Sequence, residues 1–108
     1  VGLHRAKELA LLGDILPAAE AERIGLVNRV VPVSELDALV ADWAARLAAG
    51  PPIALDMTKR MLNQGLNSSL EEALEVEAIA QSVNIASNDT REAVKAFLEK
   101  RTPVFRGH

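Results

Sequence analysis

Only one stretch of this chain changes its apolar period from helical to extended: Gly25-Leu26-Val27-Asn28-Arg29-Val30-Val31-Pro32. Val27, Val30 and Val31 are β-branched and stiff at χ1, Gly25 releases the chain from what precedes it, and Pro32 ends any ladder. The stretch predicts one β-strand, of about five or six residues. A lone strand leaves its backbone donors and acceptors in need of partners that the rest of the chain barely supplies. Its partners are expected in another segment or another chain.

Everything else reads as helix. Over 3–12, Leu3, Ala6, Leu9 and Ala10 cluster opposite His4, Arg5, Lys7 and Glu8, and Gly13 ends the element. Pro17 suits a first helical turn, so 18–24 reads as a short second helix closed by Gly25. After Pro32, Ser34 with Asp37 resembles a capping box, and Leu36, Leu39, Val40, Trp43 and Leu47 form one apolar stripe down to Gly50-Pro51-Pro52. The prolines open a fourth helix lined by Ile53, Met57, Met61 and Leu62, which runs to Gln64 and Gly65. Ser69 with Glu72 is a second capping box, for a helix to about Ala86 carrying Leu70, Ala73, Val76, Ala80 and Val83. Asp89 with Glu92 reads as a third, for a helix from Thr90 to about Arg101 that turns Ala93, Val94, Phe97 and Leu98 inward. Pro103 ends it, and 102–108 reads as an exposed tail.

With 108 residues the chain is one domain at most, and its core is thin. The apolar share of 49% is mostly Ala, Leu and Val, with Trp43, Phe97 and Phe105 the only aromatics, which suits close helix-on-helix packing. Cysteine is absent, which removes disulfides, thiolate nucleophiles and cysteine-ligated zinc together. A net charge of -3 argues against a nucleic-acid partner. No apolar run approaches the ~18 residues that span a bilayer, so no membrane partner is expected, and the acidic polar face of 36–47 disfavours surface binding. The chain opens on Val1 without an initiator methionine, and it is expected to be part of something longer.

Few residues offer chemistry by spacing. His4 and His108 are the only imidazoles, and the weak pair His4 and Glu8 is the nearest approach to metal-ligand spacing. No Gly-rich phosphate loop or nucleophile elbow occurs. Glu71, Glu72, Glu75 and Glu77 crowd a helix start, where the helix dipole favours them as a solvated face. Lys95, Lys100, Arg101 and Arg106 form the one basic concentration. Cations at a helix end complement its dipole, and they also suit an anion; spacing leaves both readings open.

The order of short motifs nevertheless resembles a known family. Val1-Gly2, Arg5-Ala6-Lys7-Glu8-Leu9, Leu12-Gly13, Ala18 to Ala21 with Glu20, and the stretch from Gly25 to Pro32 are similar to the enoyl-CoA hydratase/isomerase (crotonase) family. The likeness continues through Leu55, Lys59, Leu62-Asn63, Asp89, Glu92, Ala93, Ala96-Phe97-Leu98-Glu99-Lys100-Arg101, Pro103 and Phe105. It covers the whole chain. The fold class it implies is mainly α, the C-terminal helical region of a crotonase-like fold with one short β-strand. Residues 1–32 would end the crotonase core, and 33–108 would be the helical oligomerisation region.

The resemblance further implies a parent enzyme, in the cytoplasm, that hydrates or isomerises acyl-CoA thioesters through a stabilised enolate. Coenzyme A thioester is the substrate, and no separate cofactor is implied. The family's oxyanion-holding N–H groups and proton-moving acids lie in a part that would precede Val1, so no catalytic residue is carried onto this sequence. The implied partners are acyl-CoA and other subunits of the same protein, as a trimer or hexamer. Lys100 is the one binding residue carried over, as a contact to the phosphates of a coenzyme A held mainly by a neighbouring subunit. Gln81 stands where some relatives have an aromatic near the nucleotide. The alternative is a free-standing helical interaction module without enzymatic activity.

Overall fold

The apolar spacing at three and four residues becomes six α-helices: α1 (Leu3–Leu12), α2 (Ala18–Arg23), α3 (Val33–Ala48), α4 (Pro52–Gly65), α5 (Leu70–Ala86) and α6 (Asn88–Leu98). The computed structural model describes all residues from Val1 to His108. The chain divides into two compact units, Val1–Val40 and Ala41–His108. The mainly α expectation is met, without the strand.

In the first unit, Arg5 and Arg23 both reach Glu20, the former at 3.7 Å, which ties α1 to the start of α2. Helix α2 ends in a closure that needs a left-handed residue. The Leu26 N–H donates to Ala21 O at 2.8 Å, the Gly25 N–H donates to Glu22 O at 2.9 Å, and Gly25 itself has φ 76°. This closure is why residues 25–32 form no strand. Val27 N–H is also turned back onto Ala21 O, and Val30 N–H donates to the Glu22 carboxylate at 3.3 Å. The valines have the right propensity, but no extended neighbour exists in this chain to complete a ladder.

Helix α3 starts one residue before the expected cap. Glu35 N–H donates to Pro32 O at 2.9 Å, and Ser34 lies inside the first turn rather than capping it. Its apolar stripe is real but uncovered in this chain: Leu36, Val40, Trp43 and Leu47 are all exposed, while Leu39 is half-buried.

In the second unit, α4 packs on α5 and α5 on α6. Pro51 and Pro52 open α4, which turns Ile53, Met57 and Met61 towards α5 and leaves Leu62 exposed. The capping box of α5 is complete: Ser69 Oγ accepts from Glu72 N–H at 3.2 Å, and the Glu72 carboxylate accepts from Ser69 N–H at 2.8 Å. Of its stripe, Ala73, Val76 and Ala80 are the covered positions, whereas Leu70 and Val83 face out.

Helix α6 departs from expectation at both ends. Ser87, not Asp89, is the N-cap, accepting from Thr90 N–H at 3.1 Å. The helix stops at Leu98, so Lys100 and Arg101 stand beyond it. Its packed face is also rotated: Ala96 is 1% exposed and Ala93 half-buried, while Val94, Phe97 and Leu98 lie outside. Periodicity marks an apolar stripe without saying what covers it, and small alanines let α6 approach α5 more closely than its bulky side could.

Candidate functional site

The polar side chains of the second unit converge where α6 meets the last ten residues. Asp89, two residues past the N-cap, is 5% exposed and faces the tail instead of its own helix start. Its Oδ1 accepts from Arg106 N–H at 2.7 Å and its Oδ2 from Gly107 N–H at 2.8 Å. The Asn88 N–H donates to His108 O at 2.8 Å. Gly107 has φ 80°, and a Cβ there would sit 2.8 Å from the Pro52 ring, so the tail passes α4 only as glycine. The tail expected to be free is therefore a strap, with Phe105 lining a cleft of about 280 Å³ alongside Ile53, Met61, Ala80 and Ala93.

One turn further along α6, Glu92 grips the same segment. Both of its oxygens accept from the Arg101 guanidinium, one bond measuring 2.9 Å, and its Oε1 also accepts from Val104 N–H at 3.0 Å. Arg101 Nε donates to Glu99 at 2.7 Å. The Arg101 fork and then the Val104 amide hold the Glu92 carboxyl well below its usual range, at about 2, and the two carboxylates in turn raise the Arg101 guanidinium above its ordinary value.

Just before the first of these anchored residues, Arg101, lies the turn that carries Lys100. Lys100 N–H donates to Phe97 O at 3.2 Å and Arg101 N–H to Ala96 O at 3.0 Å, the same two-bond closure that ends α2. Lys100 occupies the left-handed position, with φ 54°, and it is the only non-glycine residue in the chain with positive φ. A side chain there costs about 1 kcal/mol relative to glycine.

Of the basic concentration read in the sequence, Arg101 is consumed by Glu92 and Glu99, while Lys95, Lys100 and Arg106 take part in no ion pair. Lys100 is exposed at the apex of the turn. Asp89 and Glu92 were legible as an acidic pair at capping spacing, but their tie to the strap was not. The available hint was a tail of backbone donors following an arginine.

Elsewhere the chemistry is sparse. Gln81 lines the cleft that Phe105 also lines. His4 and His108 belong to no group of three metal-ligating side chains. No helix is long and apolar enough to cross a membrane.

Comparison with known proteins matches this architecture throughout. The enoyl-CoA hydratase/isomerase family model covers residues 1–108. The chain is 38% identical to a crotonyl-CoA hydratase of Syntrophomonas wolfei over 97% of its own length and 40% of that protein's. It is 36% identical to an enoyl-CoA isomerase/hydratase of Mycosarcoma maydis, over 99% of this chain and 39% of that one. The crystal structure of enoyl-CoA hydratase from Bacillus anthracis superposes with a TM-score of 0.95 at 37% identity, covering 100% of this chain and 42% of the other. The chain thus spans about two-fifths of the length of these relatives. The agreement of fold, motif order and identity over the whole chain places it in the enoyl-CoA hydratase/isomerase family.

Proposed function

We propose that this chain is the C-terminal helical part of an enzyme that hydrates or isomerises the double bond of acyl-CoA thioesters, and that it serves subunit docking and one side of the coenzyme A site. The observation that carries the reading is family membership over all 108 residues. In such an enzyme the barrier falls when hydrogen-bond donors stabilise the enolate formed from the thioester. This chain contributes around that step, by holding subunits together and by meeting the ligand's phosphates.

Support for the docking role comes from the large apolar side chains on its surface, among them Trp43, Leu47, Val94, Phe97 and Leu98. Support for the ligand role comes from Lys100, an exposed cation without a carboxylate partner on a turn that is held from both sides. An ammonium on a flexible stem is a suitable point charge for a phosphate. The test is to assay the full protein carrying this chain with short enoyl-CoA substrates, following hydration and double-bond shift separately. Turnover of either kind is expected, and inertness towards every acyl-CoA offered overturns the reading.

A further inference from the structure

Helices α2 and α6 end in the same pair of backbone bonds, with Gly25 at the left-handed position of one and Lys100 at that of the other. Glycine meets the needs of the closure alone, and lysine meets them worse. The lysine is therefore not explained by the helix end it terminates, and a backbone outlier of this kind points to use of its side chain.

Its surroundings show what fixes the turn that carries that side chain. Arg101, the adjacent cation, is turned away by the Glu92 carboxylate and Glu99. Val104 N–H, three residues beyond Arg101, is bound by the same Glu92. One carboxylate thus holds the segment on the far side of the turn, while the helix closure holds the near side. A cation presented from a turn fixed in this way loses less freedom on meeting an anion than one on a loose tail.

The geometry points to Glu92 as a positioning residue: by gripping Arg101 and the Val104 amide it fixes the 99–101 turn so that the Lys100 ammonium is presented to a phosphate-bearing ligand. This rests on the reading of Lys100 given under Proposed function. Glu92 touches no ligand itself. It acts through Lys100, and its loss leaves Arg101 with Glu99 alone, releases the Val104 amide and loosens the far side of the turn.

The test uses the full protein, titrated with coenzyme A and with pantetheine, which has the same thiol arm and no phosphates. Lys100→Ala is expected to weaken coenzyme A binding by about tenfold and leave pantetheine unchanged. Glu92→Gln, and Arg101→Lys, which keeps the charge but loses the planar fork, are each expected to weaken coenzyme A by several-fold with pantetheine again unchanged. In turnover, KM for the coenzyme A thioester rises while kcat holds. The combination of Glu92→Gln with Lys100→Ala is expected to bind no more weakly than Lys100→Ala alone.

An unaffected Lys100→Ala protein overturns both the anion reading and the positioning role. If Lys100→Ala weakens binding but neither Glu92→Gln nor Arg101→Lys does, the positioning role alone falls. It also falls if Glu92→Gln weakens both probes equally, or costs as much with Lys100 absent as with it present. Should Glu92→Gln fail to fold, Arg101→Lys carries the same comparison.

Discussion

Glu92 and Lys100 are the residues whose local chemistry most exceeds what a helix end requires. The Glu92 carboxyl sits at about 2 in the fold, against an ordinary value of 4.5, because the Arg101 fork and the Val104 amide favour its charged form. A depressed carboxyl contributes stability that is fully present above its unfolded value and is lost as pH falls through the folded one. The chain should therefore lose stability between about pH 4.5 and pH 2, and Glu92→Gln should remove that part of the acid slope. Thermal unfolding of both proteins across this range checks it; identical slopes would refute the clasp. Lys100→Gly makes an opposite test, since relief of the left-handed side chain should stabilise by about 1 kcal/mol while the proposed phosphate contact is removed. A melting temperature that falls instead would mean that the lysine stem packs usefully in the fold.

At the level of elements, helix starts differ in how strongly the sequence specifies them. The reciprocal Ser69 and Glu72 bonds should make Ser69→Ala cost about 1 kcal/mol, measured by chemical denaturation. Ser34→Ala should cost far less, because α3 already starts at Val33 and Ser34 lies inside its first turn rather than at the cap position. The contrast shows what was legible. Helix existence, most boundaries and the box at Ser69 follow from spacing and local side-chain chemistry, both visible in the sequence. The strand at 25–32 does not form, since a ladder depends on a partner and valine content cannot supply one. The third box failed for a related reason: Ser87 was a sufficient cap, which left Asp89 for Arg106 and Gly107, 17 and 18 residues away. Lys100 is singled out as a binding residue only by the family resemblance, since spacing leaves its role open. The grip of Glu92 on Arg101, nine residues along, needed the folded chain.

Taken as a whole molecule, the chain buries too little of its bulk to owe its fold to its own core. Its buried hydrophobic residues are all alanines, Ala21, Ala80 and Ala96, while Phe97 is 82% and Trp43 38% exposed. Alanine brings little apolar area out of water, whereas each Phe, Leu or Val side chain left outside forgoes ~1.5–3 kcal/mol of burial. Surfaces of that kind on a short chain favour association, and any equilibrium that binds the folded form makes the melting temperature depend on concentration. The isolated chain should therefore sediment as an oligomer at micromolar concentration and melt at a higher temperature as it is concentrated. Replacing Phe97 and Leu98 by Ser should shift it towards monomer without loss of helix content in α6, because that helix packs internally through Ala93 and Ala96, on its other side. A compact monomer with a concentration-independent transition would mean that the alanine contacts and the carboxylate strap suffice unaided, and the docking role proposed for the α6 face would fall with that result.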